Sequence, residues 1–291
     1  MSRTRILGAS IALAGAYLAV VRPRLLRWGA TDEEVRRPFP GADVIAGGRR
    51  GATMAVTIGA PPADVWKWLV QMGCDRGGWY SWDRLDNGGV PSAERIRPEW
   101  QQIALGDHLA STTDGRAWFE VAALEPERFL GLRAPLDSRG RPFDTSGPRP
   151  RFYSDSIWSF LLEHLPGNRT RLVVSGYAAY CPHLPLMLFN ILFWEPAHVI
   201  MQTRQFANLK RRTEREETQM SSKKEVARAG DWIEVHGHTQ GQPPRHALVL
   251  EVLGSAGNEH YRVRWADDEH ESIYFPGPDA SVRRKNEQAH A

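Results

Sequence analysis

The chain has 291 residues, a formal net charge of +3 and an apolar fraction of 42%. This apolar content is sufficient for folded cores, so the composition excludes a disordered chain, and the length predicts one large domain or two of ordinary size. The small net charge conceals a gradient, because basic residues dominate the first fifty positions whereas acids outnumber bases after Arg228. A nucleic-acid partner is therefore not predicted for the chain as a whole.

The first 27 residues contain an uncharged run, Ile6 to Val21, with the sequence ILGASIALAGAYLAVV. Basic residues flank it on both sides: Arg3 and Arg5 before it, and Arg22, Arg24, Arg27, Arg36 and Arg37 after it. The pattern predicts a single membrane-spanning helix, and the more basic flank places the folded domains on the cytoplasmic side. A cleaved signal peptide and a helix packed on the domain are the alternatives, since the run is short and rich in Ala and Gly.

A strand, an amphipathic helix and an aromatic turn follow one another between Thr53 and Asn87. Thr53 to Ile58 alternates as a strand does, and Pro61 and Pro62 then suit a helix start. The apolar positions of one helical face are Val65, Trp68, Leu69 and Met72. The glycines Gly73, Gly77 and Gly78 precede the aromatic residues Trp79, Tyr80 and Trp82. Three bulky aromatics after a glycine-rich turn predict the wall of a cavity.

The stretch APPADVWKWLVQMGCDRGGWYSWDRLDN resembles the start of a polyketide-cyclase-type member of the START-like, helix-grip superfamily (SRPBCC) of hydrophobic-ligand-binding proteins. The resemblance extends over residues 28–213. It implies an α+β fold in which an antiparallel sheet curves around a long C-terminal helix, with a ligand cavity between the helix and the sheet. A capping box at Thr31 to Glu34 predicts a short helix ahead of this domain's first strand.

Further strands are predicted after Asn87, with a long exposed loop over residues 137–151. The predicted strands are Asp107 to Ala110, Ala117 to Leu124, Phe129 to Ala134, Ser156 to Leu165 and Thr170 to Tyr180. Trp158 and Tyr177 alternate with their neighbours in the last two strands, so each occupies a defined face of the sheet.

Residues 182–215 begin apolar and end basic, which predicts the long C-terminal helix of this fold. Its apolar part is too short to span a bilayer, and Pro196 predicts a bend. One face is predicted to carry the apolar residues Leu192, Val199, Phe206 and Leu209 together with the polar residues Glu195 and Gln202. Such a mixture on one face is typical of a pocket.

Residues 214–225 are polar and without periodicity, which predicts a linker. From Val226 onward, four short strands are predicted between turn residues. The segments GDWIEVHGHTQGQPPRHALVLEVLG, YRVRWADDEHES and YFPGPDASV resemble a bacterial family of small domains of unknown function. The resemblance implies a small all-β barrel of the Src-homology-3-like kind over residues 226–291, which is a candidate site for a protein partner.

Metal and cofactor sites are not predicted. Cys74 and Cys181 lie far apart and outside any ligand spacing, so neither a zinc site nor a disulfide framework is indicated. The last module is rich in histidine, at His236, His238, His246, His260 and His270. No acid or cysteine accompanies them at a recognised ligand spacing, which favours surface histidines over a metal site.

The predicted ligand-binding residues combine the aromatic turn with the facing strands and helix. They are Trp79, Tyr80, Trp82, Asp83, Trp158, Tyr177, Glu195 and Val199. Catalytic residues are not assigned. Asp83, Glu195 and His198 are candidates for acid–base chemistry, but a capping Asp, a capping Glu and a hydrogen-bonded core His explain them equally well.

Three functions remain open at the level of sequence. The leading hypothesis is membrane-tethered binding of a hydrophobic small molecule, lipid-like or polyketide-like, in the helix-grip cavity. A cyclase or dehydratase type of enzyme is the first alternative. A non-catalytic scaffold whose C-terminal barrel recruits a partner is the second.

Overall fold

The computed structural model describes residues 15–224, 227–235, 244–254, 259–277 and 280–284, with backbone only for 217–224. The chain divides into two compact units, Met1–Glu214 and Arg215–Ala291. The first is α+β and contains a large antiparallel sheet and a long C-terminal helix, whereas the second contains a small sheet of its own.

The sheet of the first unit has seven strands, and each described pair of neighbours is antiparallel. The strands are β1 (Arg49–Arg50), β2 (Met54–Ile58), β3 (His108–Ala110), β4 (Trp118–Glu125), β5 (Phe129–Asp137), β6 (Tyr153–Leu165) and β7 (Arg169–Cys181). Their order is β1-β7-β6-β5-β4-β3, and β2 also pairs with β7. The consecutive order from β3 to β7 is the meander that the sequence predicted. The first two strands of the chain, β1 and β2, pair with the edge of β7 that faces away from β6.

Helices of the first unit lie before, between and after these strands. They are α1 (Arg22–Leu25), α2 (Asp32–Arg36), α3 (Pro62–Val70), α4 (Asp83–Asp86), α5 (His183–Phe189) and α6 (Glu195–Lys224), with a 3-10 turn at Pro98–Trp100. A π-helical turn, Tyr17–Val21, precedes α1, and a second one, Asn190–Trp194, joins α5 to α6. Each π turn ends two residues before a proline, Pro23 or Pro196. Because proline lacks an N–H and displaces the carbonyl four residues earlier, a wider turn there is expected.

The predicted capping box and the amphipathic helix after Pro61 are both present. Thr31 caps α2, since its hydroxyl accepts from the Glu34 amide at 3.2 Å and the Glu34 carboxylate accepts from the Thr31 amide at 2.6 Å. Arg171 of β7 binds the same carboxylate at 2.7 and 2.9 Å, which ties α2 to the sheet. Trp68 and Leu69 of α3 are fully buried in the main core.

The N-terminal apolar run lies partly outside the described residues. Residues 6–14 belong to that part, whereas Tyr17–Val21 is helical and largely exposed. A separate finding concerns His183–Glu216, the one helix among the described residues that is long and apolar enough to cross a membrane. Core helices of soluble proteins meet the same criterion, so length and composition alone do not assign it to a membrane.

The C-terminal helix differs from its prediction in two respects. Val199, Phe206 and Leu209 are buried as predicted, but Leu192 of the same predicted face is 61% exposed. Leu192 lies in the π turn, whose wider helical spacing takes it out of register with the three residues of α6. In addition, the helix continues to Lys224, through most of the segment predicted as a linker.

The second unit contains a five-stranded antiparallel sheet. Its strands are β8 (Trp232–Val235), β9 (Arg245–Leu253), β10 (His260–Trp265), β11 (Glu271–Tyr274) and β12 (Ala280–Arg283), in the order β11-β10-β9-β8-β12. Alternate residues such as Tyr261 and Val263 form its core with Ile233 and Val249. The four predicted strands are present and β12 is additional, while closure into a Src-homology-3-like barrel stays a prediction.

Candidate ligand cavity

A cavity of about 510 Å³ lies between α6 and the sheet of the first unit. The helix contributes Glu195, His198, Met201, Gln202 and Gln205, whose spacing of three and four residues defines one helical face. The strands, the loops and α4 contribute Trp79, Ser81, Leu85, Asp86, Phe119, Leu136, Ser156, Ile157, Trp158, Ser175, Tyr177 and Ala178, among others. The wall is predominantly apolar with a few polar groups, as in ligand pockets generally.

One side of the cavity is a cluster of three aromatic rings. The centroid of Trp79 lies 5.3 Å from that of Phe119 and 5.8 Å from that of Trp158. Phe119 and Trp158 are themselves 5.9 Å apart. Mutual contacts of this kind hold the rings in place, so a ligand meets a preformed apolar surface at a small entropic cost.

A chain of hydrogen bonds connects this cluster to α6. Trp158 Nε1 donates to Gln202 Oε1 at 3.1 Å, and Gln202 Nε2 donates to Gln205 Oε1 at 2.8 Å. Gln205 Nε2 then donates to the carbonyl oxygen of Trp79 at 2.9 Å. Because the two glutamines are buried, these bonds satisfy polar groups that would otherwise destabilise the fold. They also fix the helix against the aromatic turn.

Asp86, at the end of α4, is the most unusual polar residue of the cavity. Both of its carboxyl oxygens are buried and lack a hydrogen-bond partner among the described residues. The nearby Ser81 hydroxyl donates instead to the carbonyl oxygen of Met201, at 3.1 Å. Burial raises the pKa of Asp86 because water no longer solvates the charged form. A carboxyl group left in this state is available to a hydrogen-bonding group of a ligand.

His198 faces the cavity from α6 and packs edge-on against Trp158, with ring centroids 6.2 Å apart. Burial lowers its pKa to about 4, because the apolar surroundings disfavour the imidazolium ion. At neutral pH the ring is therefore uncharged and presents one donor and one acceptor nitrogen.

Glu195 is held by an arginine from the N-terminal region. Arg22 forms a bidentate ion pair with it at 2.6 and 2.7 Å, and Asn190 Nδ2 donates to the same carboxylate at 3.1 Å. The hydrogen bond to Glu195 raises the pKa of Arg22, which strengthens the pairing of the two charges. Trp194, the residue before Glu195, lines the cavity and is 56% exposed, so the cavity reaches the protein surface at this point.

The structure brings four of the eight predicted ligand-binding residues to the cavity: Trp79, Trp158, Tyr177 and Glu195. Tyr177 is fixed by its hydroxyl, which donates to the carbonyl oxygen of Phe39 at 3.0 Å. Contact of these four residues with a ligand stays a prediction.

Tyr80 and Trp82 lie elsewhere, which corrects the prediction of a three-residue aromatic wall. Tyr80 has a positive φ of 57° and is fully buried beneath Trp68, with its hydroxyl bonded to Gln71 Nε2 at 2.8 Å. The left-handed backbone turns its ring away from those of its neighbours. Trp82 is 44% exposed and its ring lies under the Arg204 guanidinium at 5.0 Å.

Asp83 and Val199 also stay outside the cavity lining. Asp83 accepts a hydrogen bond from the Ser92 hydroxyl at 2.6 Å. The Ser92 oxygen accepts in turn from the Tyr80 amide at 3.1 Å, so Asp83 stabilises the turn. Val199 is a core residue, 7% exposed, beside the cavity-lining His198.

Sequence reasoning missed Asp86, Phe119 and Gln205. Asp86 follows Asp83 by three residues in the short segment Trp82 to Asn87, and this spacing does not show which carboxyl is enclosed. Gln205 lies three residues after Gln202, a spacing that places both amides on one helical face. Phe119 had no distinguishing signal. Among the described residues, no group of three or more His, Cys, Asp or Glu is placed to hold a metal ion.

Comparison with known proteins identifies the second unit. Residues 226–282 match the family described as Domain of unknown function (DUF1918). The uncharacterized protein Rv0569 of Mycobacterium tuberculosis is 42% identical over 62 residues, covering 21% of this chain and 70% of that protein. The uncharacterized protein Rv2302 of the same species is 38% identical over 65 residues, covering 22% of this chain and 81% of that protein.

The solved structures to which this chain is similar cover slightly more than half of it, with low TM-scores. Protein MLL2253 from Mesorhizobium loti has a TM-score of 0.31 and 18% identity, covering 56% of this chain and 97% of that one. CalU16 from Micromonospora echinospora has a TM-score of 0.28 and 14% identity, covering 58% of this chain and 86% of that one. TM-scores of this size support no inference about the cavity, whose chemistry rests on the residues described above.

Proposed function

The chain belongs, through residues 226–282, to the family described as Domain of unknown function (DUF1918), and because that description assigns no activity, we propose a function from the cavity of the first unit. The proposed function is the binding of a lipid-like or polyketide-like small molecule by a membrane-tethered protein. The observation that carries it is the cavity itself, about 510 Å³ and lined mostly by apolar side chains. Its size falls within the range of small-molecule sites.

The polar groups of the cavity suggest the chemistry of the ligand. An apolar body would fill the space beside Trp79, Phe119 and Trp158, whereas a hydroxyl or amine would bind the unpartnered carboxyl group of Asp86. Satisfying a buried group of this kind contributes about 1–3 kcal/mol relative to leaving it unpaired. A ligand with one hydrogen-bond donor on an otherwise apolar skeleton fits this arrangement best.

Membrane tethering by Ile6 to Val21 is the second part of the proposal. The apolar composition of the run and the arginines that follow it support a single span with the folded units on the cytoplasmic side. Protease added to intact spheroplasts tests this placement. Protection of the exposed loop over residues 137–151 until the membrane is broken is expected, and digestion without lysis would place the units outside.

Binding is favoured over catalysis by the state of the three acid–base candidates that the sequence suggested. A general acid or base is most effective with a pKa near the working pH, but the pKa of His198 is about 4. Glu195 is occupied by Arg22, and Asp83 lies outside the cavity lining. The cavity also counts against the scaffold alternative, in which this unit is packed solid and only the second unit acts.

Two measurements test the proposed binding. Native mass spectrometry of the purified full-length chain is expected to show a co-purifying apolar molecule of defined mass. The fluorescent probe 1-aminoanthracene, which carries one amine on an apolar body, is expected to bind with 1:1 stoichiometry and to be displaced by that molecule. Failure of the probe to bind, together with the absence of any bound molecule, would refute the proposed function.

A further inference from the structure

The apolar side chains of residues 183–194 are turned outward to an unusual degree. Six of them are between 49% and 64% exposed: Leu184, Leu188, Phe189, Leu192, Phe193 and Trp194. We call these six residues the apolar helix surface. Isolated exposed apolar residues are common, but a contiguous cluster on twelve residues of helix marks a surface that is covered by something else.

Charge is almost absent from this segment. Residues 183–200 contain neither Lys, Arg nor Asp, and Glu195 is their single acidic residue. The bidentate ion pair with Arg22, at 2.6 and 2.7 Å, neutralises that carboxylate. An apolar medium therefore meets no unpaired Lys, Arg, Asp or Glu side chain along this stretch, whereas a typical protein interface has a polar, charged rim.

The same ion pair places the apolar helix surface next to the end of the N-terminal apolar run. Arg22 is the first residue after Ile6 to Val21, and its partner Glu195 is the first residue after the π turn. Leu18, Val20 and Val21 are also 45–49% exposed. Arg24, exposed in the following turn, is suited to the phosphate of an anionic headgroup. Two apolar helical segments thus converge at one ion pair with an exposed cation beside it.

The cavity opens at this place as well. The cavity lining includes Asn190 and Trp194 of the apolar segment, and Glu195, which follows that segment directly. Trp194 lines the cavity and is also 56% exposed, which is the position of a residue at a portal.

We propose that the apolar helix surface inserts into the interfacial layer of a lipid bilayer, so that the cavity exchanges its ligand directly with the membrane. This inference rests on the proposed function and specifies the route of the ligand. Twelve helical residues extend only about 18 Å, too short to span a bilayer, so the segment lies along the interface. The rest of the helix cannot follow it into the membrane, since Phe206 and Leu209 are fully buried in the core.

A bilayer is favoured over a second copy of the chain by charge and position. The N-terminal run predicts that a membrane is present at this end of the unit, and exposed Arg24 complements anionic lipid. Interfacial helices combine an apolar face with adjacent cations in this manner.

Site-specific fluorescence on the full-length chain tests the contact. With Cys74 and Cys181 changed to Ser, the variants Leu188→Cys and Leu105→Cys are each labelled with an NBD fluorophore and reconstituted into vesicles of phosphatidylcholine and phosphatidylglycerol. Leu105 is the matched control, because it is 63% exposed in the loop before β3 and lies outside the apolar helix surface. NBD at position 188 is expected to shift to the blue and to be quenched severalfold more strongly by doxyl lipids than NBD at position 105.

Each other outcome overturns the proposal. Equal quenching at the two positions, in protein that still sediments with the vesicles, shows that the tether alone holds the chain to the membrane. If NBD at position 188 also shifts to the blue in detergent, and mass photometry shows dimers there, the apolar helix surface binds a second copy of the chain.

A kinetic experiment tests the route of the ligand. The double variant Leu192→Glu and Phe193→Glu alters the apolar helix surface without altering the cavity lining. Transfer of 1-aminoanthracene from donor vesicles to the reconstituted protein is expected to slow by at least about tenfold, since charged side chains oppose insertion of this surface into the membrane. The final amount bound is expected to stay the same. An unchanged rate contradicts membrane exchange, whereas loss of binding in the wild-type protein contradicts the proposed function instead.

Discussion

The two halves of the long C-terminal helix hold their apolar residues in opposite environments. In the first half, residues 183–194, Phe193 is 64% exposed. In the second half, Phe206 is completely buried and stacks on Trp28 with ring centroids 6.0 Å apart. The first half ends with the π turn at Asn190–Trp194, and the second half is α6.

This difference shows that hydrophobicity alone does not determine where a helix packs. The second half faces the sheet along a single stripe, which Val199, Phe206 and Leu209 occupy with Gln202 and Gln205. In the first half, apolar residues surround the helix almost completely, so no single packing partner can cover them. A helix that is apolar all round requires an apolar solvent, and the proposed membrane contact supplies one.

The largest effect expected is a difference in stability between the two halves. Phe206→Ala removes a fully buried ring and is expected to lower the free energy of unfolding by about 3–5 kcal/mol. Phe193→Ala, the matched change in the exposed half, is expected to alter it by about 0.5 kcal/mol or less in detergent. Urea unfolding followed by circular dichroism measures both. Similar losses for the two variants would contradict the contrast between the halves.

The second prediction concerns His198, where α6 borders the cavity. Since its folded-state pKa is about 4 and lies below the ordinary value of about 6.5, the unfolded chain binds the extra proton first. Stability is therefore expected to fall as pH decreases from 6.5 to 4, by up to about 3 kcal/mol. His198→Phe is expected to flatten the stability profile in this window.

The control for that experiment is His164→Phe, at an exposed position of β6. Thermal unfolding at closely spaced pH values compares the three proteins. If the stability of the His198→Phe variant depends on pH in the same way as that of the wild-type protein, the imidazole is not desolvated.

Much of the fold was predictable because local patterns and tertiary packing agree. The capping box at Thr31, the helix after Pro62 and the meander from β3 to β7 all depend on short-range signals, and each is observed. The exposure of Leu192 was not predictable in the same way, because the π turn shifts the helical register by less than one turn. A periodicity argument assumes a uniform helix and fails at such a point.

The cavity was predictable only in part for a related reason. Sequence identified the aromatic turn, but the positive φ of Tyr80 decides which ring faces the cavity and which enters the core. Asp86 depends on contacts between the turn and α6, far apart in the chain, so its enclosure has no local signature. Alternation along the strands does not explain both predicted residues of the sheet, because Trp158 pairs with Gly176 and Tyr177 pairs with Ile157, which places the two side chains on opposite faces although both residues border the cavity.

The third prediction compares two tryptophans of that turn. Trp79→Ala removes a ring from the cavity wall and is expected to weaken 1-aminoanthracene binding by about tenfold, which corresponds to about 1.4 kcal/mol. Trp82→Ala, at an exposed ring outside the cavity lining, is expected to leave the affinity within about twofold, since surface changes away from a site have small effects. Fluorescence titration measures both variants, and circular dichroism verifies that they fold. Equal affinities for the two variants would remove Trp79 from the binding site.

The last prediction addresses whether the buried half of the helix and the turn opposite it serve stability or binding. Burial raises the pKa of Asp86, so the folded state favours the protonated form, and stability is expected to fall as pH rises from about 3.9 through the raised value. Above the raised pKa the ionised, unpartnered carboxylate destabilises the fold, and Asp86→Asn is expected to raise the melting temperature there while removing this pH dependence. The same variant is expected to bind 1-aminoanthracene more weakly but to bind anthracene, which lacks the amine, unchanged. A residue whose replacement stabilises the protein and impairs binding of the donor-bearing probe alone is retained for the ligand, as expected where stability and function conflict. If Asp86→Asn instead lowers the melting temperature and affects both probes equally, the carboxyl group has a structural role and the ligand requires no hydrogen-bond donor.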